Sequence, residues 1–366
     1  MVMGDGQFRA ILFSGGAGSR LWPLSRRARP KQFQPLLGSD SLFQLMVRRL
    51  ETRIGLENIY VSTGEIYRDL VLEQVPDLPP DNVIAEPEMR DTLAAVGYAV
   101  AILNDRFPGS TIATLWGADH IVRRDDQFVA CLSAAHKLAT ENDWVVKIDV
   151  RPTCPSDALG YIEYGDPRAE VDGRTVYAFR RQVEKPPAEI AAQLIAEGNY
   201  LWNTGYIVWT AEKILSLYEQ HARAAYGALM AIVDALHRPS SAETIPMLYR
   251  QIPKMSIDKG IFEKMSGDDM VVMPAELGWS DIGAWNVLRD ELVEAESGNA
   301  VHGRHVALDT TQCLIYAPAG KPVITIGLRD MIVVDTEDAL LICPADRSQD
   351  VKKIVQRLEE EMPHLL

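Results

Sequence analysis

Cysteine is scarce and scattered. Cys131, Cys154, Cys313 and Cys343 show no metal-type spacing, so neither a cysteine zinc site nor a disulfide framework is expected. Free thiols in a reducing cytoplasm are the plain reading. Long apolar runs are missing as well. No stretch approaches the ~18 uncharged apolar residues that would read as a membrane span. The N-terminal MVMGDGQFRAILF has no basic stretch ahead of its apolar part and does not read as a signal peptide. Positive charge is in deficit: 37 Lys and Arg against 51 Asp and Glu leave a net charge of −14. That balance argues against a nucleic-acid surface, so no nucleic-acid partner is expected. It also means that a phosphate-rich ligand must be met by local cations and metal. No low-complexity segment occurs. With 366 residues, 47% apolar and 24% charged, the composition is that of a globular protein, and one large α/β domain with a smaller appendage is expected.

What the chain does have is a glycine-rich turn near its start. The apolar run Phe8–Phe13 reads as a buried strand. It leads into Ser14-Gly15-Gly16-Ala17-Gly18-Ser19-Arg20, where three glycines let the backbone turn sharply and bring its N–H groups close to a ligand. A nest of amides suits an anion, phosphate above all. Arg20 adds fixed positive charge, and so does Lys31 in Arg29-Pro30-Lys31-Gln32-Phe33. In an acidic chain, this stretch is the candidate polyphosphate site. Two common phosphate loops do not fit it. A dinucleotide fingerprint counted from Gly16 needs glycine where Leu21 stands. A P-loop counted from Gly15 needs Gly-Lys-Ser/Thr where the chain has Arg20-Leu21-Trp22. For the glycines alone, an ordinary turn after a first strand is the alternative.

Downstream, strands and helices alternate. Strands are expected over 58–62, 81–85, 110–116 and 144–149. Helices are expected over 41–50, over 91–105 with Asp91 or Thr92 as cap, and over 126–139. The alternation predicts a doubly wound, mostly parallel sheet, with ligands at the carboxyl ends of its strands. The motifs at Gly15, Glu86 and Asp119 all follow predicted strands. From 151 to 277 the pattern is mixed, with strands over 176–183 and 201–209, the latter interrupted by Asn203-Thr204-Gly205. Helices follow over 188–196, 211–219 and 222–236, with shorter ones near Ala242 and Ile257 and a last one over 281–292, begun by Ser280 or Asp281. After Gly298, short β segments at 301–308, 313–317, 322–326, 331–335 and 339–343 are spaced too evenly for another βαβ layer. They predict a small β domain, a β-helix or a plain β-meander, closed by an amphipathic helix over 348–360. The polar stretch 294–299 sets the expected boundary, giving domains 1–295 and 296–366.

Several residues on this frame carry chemistry. Asp119 in LWGADH and Asp281 in GWSDIG each read singly as helix caps. As a pair they offer what Mg²⁺ takes, one or two carboxylates beside phosphate oxygens and water. Glu184-Lys185-Pro186 stands between a strand and a helix. Asn203-Thr204-Gly205, taken alone, reads as a strand bulge.

The run GGAGSRLWPLSRRARPKQF, residues 15–33, resembles the signature of the sugar-1-phosphate nucleotidylyltransferases. Its Trp22-Pro23-Leu24-Ser25 and Lys31-Gln32-Phe33 resemble the mannose-1-phosphate guanylyltransferases in particular. Ser256-Ile257-Asp258 and the β segments around Asp309-Thr310 and Val333-Val334-Asp335-Thr336 extend the likeness from about Ala10 to Leu358. Long members carry an isomerase domain beyond this point. The chain ends before one, so only the transferase activity is expected.

The resemblance implies a nucleotide-diphospho-sugar transferase fold, Rossmann-like, with a short left-handed β-helix as the appendage. It implies GTP and α-D-mannose 1-phosphate as substrates, GDP-mannose and pyrophosphate as products, and Mg²⁺ held by Asp119 and Asp281. Arg20, Lys31 and Lys185 take the catalytic positions. Gly15, Gly16, Gly18, Ser19, Glu86, Thr92 and Gly117 take the nucleotide, and Gly160, Glu184 and Asn203 the sugar. Glu86 is the candidate reader of guanine, whose N1–H and N2–H₂ donors call for a carboxylate or carbonyl. The chain has Asp91 where the family commonly has Asn. The family's P-E-T-G-Y-G-Y-I loop survives here only as Gly160-Tyr161-Ile162. Another manno-configured sugar 1-phosphate, such as a heptose, is therefore the first alternative. The second is a non-catalytic regulator that binds nucleotide sugar, although such a protein should lack one of Arg20, Lys31, Asp119, Lys185 and Asp281. A cytoplasmic enzyme without membrane attachment is expected, with a homodimer as the assembly the appendage or last helix could build.

Overall fold

The fold comes from a computed structural model that describes residues 7–16, 18–265, 267–293, 298–318 and 320–366. Ala17 of the glycine-rich turn and the boundary expected at 295 lie outside the described residues.

Strands β1 (Phe8–Phe13), β2 (Ile59–Gly64), β3 (Val83–Glu86) and β4 (Thr111–Leu115) lie parallel in the order β3-β2-β1-β4. Strand β5 (His120–Val122) stands outside that sheet. Five more strands complete it: β6 (Val145–Val150), β7 (Tyr161–Val171), β8 (Arg174–Val183), β9 (Tyr200–Thr210) and β10 (Met270–Ala275). The full order is β3-β2-β1-β4-β9-β6-β10-β8-β7. All six residues of β1 and of β6 are buried, as befits strands covered on both faces. The sheet is mixed. β10 runs parallel to β6, but β9 is inserted antiparallel between β4 and β6, and β7 and β8 form an antiparallel pair.

Eleven α-helices are interleaved with the strands among the described residues: α1 (Leu42–Ile54), α2 (Arg68–Gln74), α3 (Asp91–Arg106), α4 (Asp125–Asn142), α5 (Ala188–Glu197), α6 (Ala211–His221), α7 (Arg223–Leu236), α8 (Ser241–Tyr249), α9 (Ile257–Gly260), α10 (Trp285–Leu292) and α11 (Val351–Glu361). Helix α3 is buried without a break from Leu93 to Leu103. None of the described helices is long and apolar enough to cross a membrane.

Two expectations about these elements need correction. The helix expected over 281–292 begins only at Trp285, because Ser280 and Asp281 belong to strand β11 (Trp279–Asp281), which pairs with β5. Strand β9, by contrast, carries its expected irregularity at Asn203-Thr204-Gly205: Ile148 of β6 pairs with Tyr206 and Val150 with Trp202, so these three residues stand opposite Asp149 alone, and Gly205 has φ +72°. The cap at Asp91 or Thr92 does not form. Asp91 stands at the helix start with a left-handed φ of +67°, and among the described residues its Oδ1 accepts only from the adjacent Thr92 amide at 2.7 Å. Thr92 Oγ1 instead accepts from the Ile257 amide at 2.8 Å. Strands β7 and β10 have no counterpart in the sequence reading. β7 alternates too little, and Pro274 masks β10.

The chain forms two compact units. The first is Met1–Gly15, Met46–Ala118 and Val122–Trp279, and the second is Gly16–Leu45, Asp119–Ile121 and Ser280–Leu366. In the second, β12 (Ala300–His302), β13 (Arg304–Leu308), β14 (Leu314–Tyr316), β15 (Pro322–Ile326), β16 (Met331–Asp335) and β17 (Leu340–Pro344) follow one another. β12, β14 and β16 stack in parallel, and so do β13 and β15. A meander would make these neighbours antiparallel, so stacked coils are the architecture. The strand expected over 301–308 is split at Gly303, φ +107°, where a Cβ would lie 2.6 Å from the Ala317 carbonyl oxygen. Leu21, Trp22, Ile121, Ile282, Trp285, Leu314 and Ile332 share the core of this unit. Trp285 Nε1 donates to the Trp22 carbonyl at 2.9 Å, and Trp22 Nε1 to the Leu365 carbonyl at 2.9 Å. The tryptophan of the signature is thus a packing residue.

Candidate active site

The sequence candidates fall in both units. In the second unit, the turn after β1 brings cations against carboxylates. Gly16 has φ +107° with open space where a side chain would stand, so it supplies a left-handed backbone that L residues resist and leaves room for a ligand. Gly18, φ +55°, is different: a Cβ there would lie 2.7 Å from Lys31 Cγ. Its absence lets the lysine pass. Lys31 Nζ then reaches Asp119 Oδ2 at 2.5 Å, Asp281 Oδ1 at 3.4 Å and the Ile282 carbonyl at 3.2 Å. Ser19 starts a short 3₁₀ turn, Ser19–Leu21, that presents Arg20. Arg20 Nη1 bonds Gln349 Oε1 at 3.1 Å, and its guanidinium lies 3.7 Å from the position a Gly283 Cβ would take.

Neither aspartate caps a helix, because α4 begins at Asp125 and α10 at Trp285. The capping alternative therefore falls. Burial alone would depress the Lys31 pKa, but Asp119 and Asp281 outweigh it and hold the ammonium charged. Burial would raise the Asp281 carboxyl, yet Lys31, His120 and Arg20 pull it below the usual range. Asp119, His120 and Asp281 offer ligand atoms that all lie within 4.8 Å of one another. Two hard carboxylates fit a divalent ion of the Mg²⁺ type, which prefers oxygen. Burial lowers the His120 pKa and favours the neutral ring.

The first unit holds the other candidates. Gly15 is exposed at the end of β1, and Gly117 is buried just after β4. Gly160, Glu184 and Asn203 converge: a Cβ on Gly160 would lie 2.6 Å from Glu184 Oε2 and 3.6 Å from Asn203 Nδ2. Lys185 follows β8 with φ +46°, a left-handed backbone on a residue that also precedes proline. Such an outlier is costly and marks functional positions. Its Nζ bonds Glu184 Oε1 at 2.8 Å. The altered loop before Gly160 is closed by Tyr161, whose hydroxyl accepts from the Ser156 amide at 2.9 Å and donates to the Ser156 carbonyl at 3.2 Å. Glu86 accepts from the Tyr249 hydroxyl at 2.6 Å. Burial raises its pKa against the pull of Tyr249 and Ser62. Thr92 spends an acceptor on the Ile257 amide.

Sequence reasoning missed two charged residues here. Lys147 and Asp149 of β6 lie beneath Asn203, with Lys147 Nζ donating to Asn203 Oδ1 at 2.9 Å. The signal was present: charges at i and i+2 of VVKIDV put both on one face of an otherwise apolar strand. Tyr249 gave no local signal.

Residues 9–298 match the family described as nucleotidyl transferase, and residues 303–358 the family described as MannoseP isomerase/GMP-like beta-helix domain. A mannose-1-phosphate guanylyltransferase of Escherichia coli is 32% identical over 353 residues, spanning 95% of this chain and 75% of that protein. One from Klebsiella pneumoniae is 33% identical, over 96% of this chain and 74% of that protein. The crystal structure of a mannose-1-phosphate geranyltransferase from Thermus thermophilus superposes with a TM-score of 0.86 at 30% identity, over 96% of this chain and 99% of that one.

Proposed function

The chain belongs to the mannose-1-phosphate guanylyltransferase family of nucleotidyl transferases, and from that premise we propose that it transfers GMP from GTP to α-D-mannose 1-phosphate. A phosphate oxygen of the sugar phosphate attacks the α-phosphorus of GTP in line. The bond from that phosphorus to the β-phosphate oxygen breaks, and GDP-mannose and pyrophosphate result. The nucleophile is already an anion, so no general base is needed. Catalysis then rests on positioning and charge neutralisation.

The observation that carries this reading is the cluster of Lys31 with Asp119 and Asp281 beside Arg20. Asp119 and Asp281 would hold Mg²⁺, which when bound neutralises phosphate oxygens. Arg20 stabilises charge on the departing pyrophosphate, with the amides of Gly15, Gly16, Gly18 and Ser19 beside it. Lys31 neutralises the α-phosphate region, and Lys185 aims the sugar phosphate. Glu86 reads guanine, with Thr92 and Gly117 near the nucleoside. Gly160, Glu184 and Asn203 take the sugar. The catalytic part spans 1–295 and the β appendage 296–366, and the reaction runs in the cytoplasm.

The test is pyrophosphate release with Mg²⁺ for GTP and mannose 1-phosphate, against ATP, UTP, glucose 1-phosphate and a manno-heptose 1-phosphate. Release confined to GTP with mannose 1-phosphate is expected. Faster release with another pair would keep the chemistry and replace the specificity. No release from a folded protein that binds GDP-mannose would favour a regulator.

A further inference from the structure

The middle of the main sheet carries two buried charges that the proposed chemistry does not use. Lys147 is 1% exposed and Asp149 is 0% exposed. Burying such a pair costs several kcal/mol per ion before their attraction is counted, so its surroundings should show what it serves. They form a chain of requirements. Thr204 lies at the register shift between β6 and β9, and Asp149 Oδ1 accepts from its amide at 3.1 Å. Asp149 Oδ2 makes no hydrogen bond among the described residues, but Lys147 Nζ lies 4.0 Å from it. Burial pushes the Asp149 carboxyl up, and Lys147 and the Thr204 amide oppose that. Among the described residues the ammonium has one further polar partner, Asn203 Oδ1 at 2.9 Å, and it stands 5.9 Å from the centre of the Phe262 ring.

An ammonium can only donate, and so can a backbone N–H. Asn203 Oδ1 also accepts from the Gly205 amide at 3.1 Å. Two donors on one oxygen fix which way the amide points. The carboxamide oxygen faces Lys147, and Nδ2 is turned to the side where Gly160 leaves room beside Glu184. That side then offers one donor, Asn203 Nδ2–H, and one acceptor, the Glu184 carboxylate. Two neighbouring hydroxyls of a sugar match this pair, one accepting and the other donating.

We propose that Lys147, held by Asp149, is a positioning residue that locks the Asn203 carboxamide with its NH₂ toward the sugar, and so sets which hydroxyl pattern is accepted. This rests on the assignment of Gly160, Glu184 and Asn203 to the sugar.

The test measures KM for mannose 1-phosphate and for GTP separately, in the full chain with Mg²⁺. Asn203→Asp keeps a partner for Lys147 but replaces the donor by an acceptor. It should raise the sugar-phosphate KM by about tenfold and leave the GTP KM unchanged. Lys147→Met should reproduce that split. Adding Asn203→Ala to Lys147→Met should cost no more than Asn203→Ala alone, because both remove one oriented donor. Should the single lysine variant fail to fold, Lys147→Met/Asp149→Asn removes both charges together and takes its place. A normal sugar KM in the lysine variants, with Asn203→Ala impaired, would overturn the positioning role and leave the sugar assignment standing. A normal sugar KM in Asn203→Ala would overturn the sugar assignment itself. Equal rises in both KM values, additive in the double variant, would reduce Lys147 to a packing residue.

Discussion

Two lysine–aspartate clusters serve this chain in opposite ways. Around Lys31 the groups are reachable, with side chains 14% exposed for Lys31 and 27% for Asp281. Around Lys147 they are sealed, at 2% for Lys147 and 0% for Asp149. In the open cluster one ammonium is shared by two carboxylates, and every partner can be exchanged for a ligand or an ion. In the sealed cluster the ammonium answers one carboxylate and one amide oxygen, and nothing can replace them. On the proposed reading, the same residue types thus make a site that reacts in one place and a support that fixes geometry in the other. Solvent access decides which, because it sets the cost of separating the charges.

The sharpest way to break the comparison is to empty the open cluster. Asp281→Ala or Arg20→Ala should lower kcat by at least ~10²-fold, since each removes charge stabilisation at the reacting phosphates. Steady-state pyrophosphate release checks this, and near-normal turnover would remove the residue from the site.

The sealed cluster should respond in stability. Lys147→Met leaves Asp149 buried without its countercharge and should cost about 3 kcal/mol in urea unfolding. Lys147→Met/Asp149→Asn should recover most of that loss. If the double variant is as unstable as the single, the pair is not a compensated charge pair.

A smaller effect separates the glycines of the turn. Gly18→Ala forces a side chain against Lys31 in a left-handed backbone, and should lower activity by about tenfold while the protein stays folded, the cost of roughly 1–3 kcal/mol of local strain. Gly15→Ala meets nothing within 4 Å and has no positive φ, so its melting temperature should match the parent's. A stability loss in Gly15→Ala equal to that in Gly18→Ala would remove the distinction.

The smallest effect is a pH dependence at Glu86. Its folded pKa is raised above the ordinary 4.5 by burial, so the folded state holds the proton more tightly than the unfolded chain does. The resulting stability is present below the ordinary value, is lost as pH rises through the raised one, and is flat above it. Glu86→Gln should remove this slope from urea midpoints measured between about pH 4 and 7. A variant that keeps the parent's slope would show that another group carries it.

Much was legible in the residues themselves. Short apolar runs such as FRAILF and VVKIDV, bounded by polar and turn residues, read as strands, the longer stretch after Asp91-Thr92 reads as a helix, and the structure has them so. The glycines and cations of 15–31 mark a candidate anion site by local chemistry alone. The aspartates were harder. Each reads as a cap in isolation, and only the pairing of β5 with β11 takes Asp281 out of a helix. The stacking of β12, β14 and β16 was likewise open, since short even segments suit a meander as well as parallel coils.

The sequence by itself therefore determined most of the elements, the candidate anion-binding turn and the family. Those follow from interactions between near neighbours, where periodicity, turn chemistry and motif spacing act directly. The tertiary structure decided which charges meet. Asp119 and Asp281 are separated by 162 positions in the chain yet share Lys31, and Lys147 finds Asn203 56 residues away. Whether a carboxylate caps, reacts or supports depends on burial and on partners brought from distant segments. No local pattern carries that information.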